Sequence, residues 1–269
     1  MAASHPLKNK LMKTIYLFLA FVITSSGYLL AQPAQFLSSG RIEFEKSVNT
    51  YALITEGQLT GKNTIGNERQ LLEEYRVKQP QFKVLKSTLY FNDNKTLYVP
   101  ASQQPPGGTG SLNIPMVAQN NIVYTDWPAR RMINQKSIIG EDFLLTDSTR
   151  NISWKITNEM REVAGFACRR ANAVIMDSIY VVAFYTEDIH VSGGPETFNG
   201  LPGMILELAL PHEHIIWRAT SVLITEPAPV NPPKKGKPID YRRLMQLLTD
   251  IGKGRTPTAA SLIMKTYLL

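Results

Sequence analysis

From Gly40 onward apolar and polar positions alternate: Ile42 and Phe44 stand between Arg41, Glu43 and Glu45, the period-two pattern of a strand with one dry face. Residues 48–51 extend that pattern. Alternation returns over residues 82–90 and, after the turn-forming run Asn92-Asp93-Asn94-Lys95, again over 96–99, which predicts a hairpin. Short strands follow at hairpin spacing over 121–126, 131–140 and 141–147. Another alternates over 152–156, and residues 162–166 lead into 168–174. Met176-Asp177-Ser178 then turns the chain back into 180–186, and residues 214–224 form one further strand. Successive short strands with polar turns predict a mainly β (α+β) fold, an antiparallel meander forming a curved open sheet or half-barrel. Helical stretches are too few for a doubly wound α/β sheet.

Two segments carry helical spacing instead. Between Glu68 and Lys78, Leu71, Leu72 and Tyr75 recur among charges, predicting a short amphipathic helix that covers one face of the sheet. Near the C-terminus Leu244, Leu247, Leu248 and Ile251 predict a second amphipathic helix, ended by Gly252 and Gly254 and followed by a tail. Loops are read from breakers: the glycines among residues 57–67, the Pro/Gly-rich run 102–111 within an insertion at 101–120, and the proline-rich basic linker over 226–238, expected to stay out of the sheet. The predicted organisation is a leader over 1–31, a β domain over 32–226, and a linker with its helix over 227–269.

The stretch around which the strands are arranged is Gly200-Leu201-Pro202-Gly203, a predicted tight turn running straight into Met204-Ile205-Leu206-Glu207-Leu208. Proline fixes φ and glycine accepts φ > 0, the requirements of such a corner. The apolar run after it suits a strand buried on both faces, or one with a single inward acid at Glu207.

The leader changes the picture more than bulk composition does. Lys8, Lys10 and Lys13 precede the apolar run 15–23, then Thr24-Ser25-Ser26-Gly27 and the small residue Ala31, the layout of a secretory signal peptide cleaved after Ala31. The polar break weakens a membrane-spanning reading, so no transmembrane span is expected after cleavage. A soluble protein of the periplasm or cell envelope is predicted. The formal charge of +7 resides partly in the leader and partly in Lys234-Lys235-Gly236-Lys237, away from any aromatic stacking surface, which speaks against nucleic acid as a partner. With Cys168 as the single cysteine, no internal disulfide forms.

These residues are similar to the GLPGLI family of secreted Bacteroidota proteins. The resemblance rests on residues 200–207, on Tyr185-Thr186 and Gly194-Pro195-Glu196-Thr197-Phe198-Asn199 before them, and on Trp154-Lys155-Ile156 and the segment Gly165-Phe166-Ala167-Cys168-Arg169-Arg170-Ala171 upstream. It spans residues 40–226. Met204 stands where the naming motif has leucine, and Phe184 where tryptophan is common, both apolar exchanges that a core tolerates. The resemblance implies an extracytoplasmic β protein of undefined activity.

Tested for chemistry, the sequence offers little. Cys168 lacks the setting of an activated nucleophile and reads as a small buried hydrophobe. His212 and His214, two apart in Pro211-His212-Glu213-His214, would face one side of a strand and grip copper or zinc, with Glu187, Asp188 and His190 as further ligands; Pro211 favours a solvated turn. Glu207 is either a proton donor with a raised pKa or the partner of an arginine such as Arg218. No nucleophile elbow or phosphate loop occurs. The aromatic residues Trp154, Tyr185 and Trp217 are candidates for an apolar pocket in the curved sheet, or simply fill the core. The expected function is non-catalytic and without a cofactor: binding an apolar ligand such as a lipid, a peptide or an envelope protein. The rival reading is a metal-handling or hydrolytic protein using His212, His214 and Glu207.

Overall fold

The computed structural model describes residues 37–56, 68–101, 121–224 and 230–269. The leader expected at 1–31, the loop 57–67, nearly all of the insertion at 101–120 and residues 225–229 of the linker lie outside the described residues.

Among the described residues, twelve strands build one open sheet: β1 (Ser39–Asn49), β2 (Phe82–Asn92), β3 (Lys95–Pro100), β4 (Ile122–Asp126), β5 (Arg131–Ile138), β6 (Glu141–Ser148), β7 (Lys155–Val163), β8 (Phe166–Ile175), β9 (Ile179–Thr186), β10 (Met204–Leu210), β11 (Ile215–Leu223) and β12 (Lys237–Ile239). The spatial order is β12-β6-β5-β4-β3-β2-β1-β11-β10-β9-β8-β7. Thus β2 to β6 and β7 to β11 are two local meanders, joined where β1 pairs antiparallel with both β2 and β11. The sheet is curved enough for β7 to approach β11 without completing the ladder. The predicted mainly antiparallel, open β architecture is what forms.

Period-two patterning sets the two faces. On β1, Ile42, Phe44, Lys46 and Val48 are buried while Arg41, Glu43, Glu45 and Ser47 face outward. β10 is buried on both sides except at Ala209. The interior is filled by the connection between β9 and β10, residues 187–203, which turns into the molecule; residues 193–199 are all buried. Phe198 from this loop meets Trp217 of β11 at a centroid separation of 6.2 Å. A Cβ on Gly194 would lie 2.9 Å from both Ile205 Cβ and the Phe198 carbonyl oxygen, so only glycine fits the loop this close to β10.

Helices cover the rims. α1 (Thr50–Thr55) and α2 (Glu68–Lys78) pack together, with Tyr51 edge-on to Tyr75 at 6.1 Å. α3 (Tyr241–Gly252) and α4 (Pro257–Leu268) form a second pair, α3 resting on β6. Each of the latter starts on a capping side chain: Asp240 accepts from the Arg243 N–H at 2.8 Å, and Thr256 from the Ala259 N–H at 3.3 Å.

Four sequence expectations are corrected. The first strand stops at Asn49, whose side chain accepts from the Ala52 N–H at 3.2 Å and starts α1 where residues 50–51 had read as strand. Trp154 precedes β7 instead of lying within it. The linker does join the sheet: Lys237–Ile239 adds a parallel edge beside β6, and Pro238 is accommodated because an edge strand has one side free of ladder bonds. Residues 257–268 form α4 in place of a tail, with Pro257 at the first helical position, where a missing N–H costs nothing.

Candidate functional site

A cavity of about 740 Å³ lies between the β5–β6 wing, the tip of loop 187–203, the end of β8 and the two C-terminal helices. β5 sets one wall because its inward phase runs Met132, Asn134, Lys136, placing two polar side chains on the dry face of the sheet. Arg150 comes from the segment after β6, Thr197 from the buried loop, and Tyr241, Leu244, Tyr267 and Leu268 from α3 and α4.

The cationic wall is held by helix carbonyls. The Lys136 ammonium donates to the Tyr267 carbonyl and the Arg150 guanidinium to the Leu268 carbonyl, both in the last turn of α4. Cations suit that end of a helix, where carbonyls lack intrahelical donors and the dipole is negative. Burial pushes the Lys136 ammonium down to about 8, with nearby Arg150 adding to the shift and Glu196 opposing it.

Glu196 is the anionic centre of this interior. It is 6% exposed, has φ of 55°, and accepts from Asn121 Nδ2 at 2.9 Å. Burial raises its pKa, while Lys46, Asn121 and Lys136 pull the other way. Lys46, buried on β1, sits 4.8 Å over the Trp217 ring, and burial lowers its pKa against the pull of Glu196. One acid from the loop thus lies within the field of two lysines from strands four places apart in the sheet. Nearby, Glu213 accepts from Lys265 Nζ at 2.7 Å, fastening α4 to the short 3₁₀ turn Pro211–Glu213.

Three side chains that line the cavity each hold a buried polar atom with no hydrogen-bond partner among the described residues: Asn134 Oδ1, Thr197 Oγ1 and Arg150 Nη1. Buried polar atoms are almost always paired, so three around one cavity mark it as built to meet polar groups.

The residues singled out from the sequence fall elsewhere. Gly200, Leu201, Pro202 and Gly203 form the exit of loop 187–203; the corner is a three-residue turn closed by the Gly203 N–H donating to the Leu201 carbonyl at 2.8 Å, tighter than the expected four-residue turn. Trp154 Nε1 donates to the Asn199 carbonyl at 2.9 Å, pinning that loop. Tyr185 is buried beside β10, Trp217 is buried under Lys46 and Phe198, and none of the three aromatic candidates lines the cavity. Glu207 is 4% exposed and accepts from Arg161 Nη1 at 2.5 Å and Arg218 Nε at 2.6 Å, a structural ion cluster on the outer face. Cys168 is fully buried, and burial drives its thiol up to about 12.

His212 lies within a 3₁₀ turn and His214 caps its end, so neither is on a strand and the geometry that would aim both imidazoles to one side does not arise. His214 Nε2 instead meets Glu56 Oε1 at 2.7 Å. Among the described residues no group of three His, Cys, Asp or Glu side chains is arranged to hold a metal ion.

The signal for Lys46 and Lys136 was nonetheless present in the alternation. Continuing the inward phase of Ile42 and Phe44 reaches Lys46, and that of Met132 and Asn134 reaches Lys136.

No helix among the described residues is long and apolar enough to cross a membrane. Two solved structures of PNGF-II, in space groups P21 and C2, are similar in fold, with TM-scores of 0.49 and 0.50 at 14% and 13% identity. They match 78% and 85% of this chain and 33% of theirs, so the chain spans about a third of the length of those proteins. No curated protein matches the sequence. A family model described as a protein of unknown function (Porph_ging) matches residues 173–207, which comprise the last three residues of β8, all of β9, the buried loop and the start of β10.

Proposed function

We propose that this chain is an exported protein of the periplasm or cell envelope, of the GLPGLI type, that binds a small amphipathic ligand inside its curved sheet. The observation that carries this reading is the cavity of about 740 Å³, within the span of roughly 300–1,000 Å³ usual for small-molecule sites. Its lining is divided between polar and apolar groups, which favours an amphipathic occupant over the purely apolar one read from the sequence. Export rests on the layout of residues 8–31.

Native mass spectrometry of the protein purified from the envelope of its own host tests the reading. The expected spectrum carries an adduct that is released on unfolding and lost in Ser153→Trp, which narrows the cavity from its exposed rim. A bare protein mass, equal in wild type and variant, would refute it. Recovery of the mature chain from the cytosolic fraction would refute export.

A further inference from the structure

The cationic wall carries more donors than the protein uses. An ammonium has three N–H donors and a guanidinium five. The contacts at this wall are one from Lys136 to the Tyr267 carbonyl and one from Arg150 to the Leu268 carbonyl, and Arg150 Nη1 has no partner among the described residues. Thr197 adds a hydroxyl that also lacks a partner. Backbone carbonyls are neutral acceptors, whereas a carboxylate would meet these cations with a full opposite charge and, at Arg150, a matching bidentate geometry. The same cavity is bordered by Asp147 and Asp177, and Glu196 acts on Lys136, so three carboxyl groups stand against two cations and a second negative charge on the head would double its repulsion from them. Away from these groups the wall is apolar, through Met132, Leu145, Ile175 and Leu244.

We infer that the occupant is an amphiphile with a single carboxylate, its head held by Arg150, Lys136 and Thr197 and its tail against the apolar wall. This rests on the binding function proposed above and adds the class of ligand. The head takes donors that the Tyr267 and Leu268 carbonyls leave unused, Arg150 Nη1 among them. Asn134, whose amide presents either a donor or an acceptor, faces the same space.

Calorimetric titration of the full chain with dodecanoate, dodecyl phosphate and dodecanol tests it. Dodecanoate is expected to bind at least about tenfold more tightly than dodecanol, and no less tightly than dodecyl phosphate. Arg150→Gln should bring dodecanoate to the level of dodecanol, while Arg150→Lys keeps part of the preference; a far-ultraviolet circular dichroism spectrum equal to that of the wild type shows that each variant is folded. Equal binding of acid and alcohol, or tighter binding of the phosphate, would overturn the carboxylate assignment and leave the binding function intact. If none of the three binds while native spectra show another occupant, only the ligand class fails; if the native spectra are also bare, both fail.

Discussion

Replacing Gly203 by alanine probes the corner on which the buried loop closes. A Cβ there would fall 2.0 Å from the Thr186 carbonyl oxygen and 2.8 Å from its carbon, and both atoms belong to the backbone of β9. Separating them to a tolerable 3.0 Å moves one strand by about 1 Å, since no flexible side chain is available to yield. That shift breaks the first pairing of β10 with β9, Met204 with Thr186, and strains the bond from the Ile205 N–H to the Gly193 carbonyl, now 2.8 Å. Two weakened hydrogen bonds at about 1 kcal/mol each, with backbone strain of about 1–2 kcal/mol at a φ of 156°, give a loss of roughly 3–4 kcal/mol. Gly140→Ala is the control. Its φ of 79° carries the conformational cost, but nothing lies within 4 Å of the added atom, so about 1 kcal/mol is expected. Urea unfolding followed by tryptophan fluorescence measures both. A Gly203→Ala protein no less stable than Gly140→Ala would show that close approach to β9 is not what reserves this position for glycine.

Two further outcomes follow from the interior. Because the Lys136 ammonium is depressed from 10.5 to about 8 on folding, the unfolded chain holds that proton more tightly; the stability is full above about 10.5 and is lost as pH falls through about 8. Between about pH 7.5 and 10.5 the wild type should therefore gain roughly 3 kcal/mol relative to Lys136→Met, read by urea unfolding at each pH, and a pH-independent difference would contradict it. Cys168, fully buried with its thiol near 12, should resist a disulfide-exchange reagent at about pH 8 until the protein unfolds. Stoichiometric labelling of the native protein within minutes would place the thiol elsewhere.

How much of this was legible in the sequence depended on whether one local pattern decided the outcome. The strands other than β12, with α2 and α3, were, because alternation and helical spacing each select one dry face. Residues 257–268 hid α4 because Leu262, Ile263, Met264 and Tyr267, all partly buried, surround the helix in place of a single stripe. β12 was hidden by Pro238, whose exclusion from central strands does not extend to an edge. The cavity was out of reach because its walls come from β5, loop 187–203 and α4, which no spacing in the chain relates. For His212 and His214 the two-residue spacing misled, since it implies a common side only on a strand.

The meeting of β1 with β11 has a consequence for how the protein folds. Each meander consists of neighbours in sequence and closes cheaply, but the seam between them pairs Val48 with Ile215 and Arg41 with Leu223, contacts that enclose most of the chain. Loop-closure entropy makes such pairing the slow step. Two fast local sheets should therefore wait on one late zipper, and substitutions along it should retard refolding more than equally destabilising ones in either hairpin series.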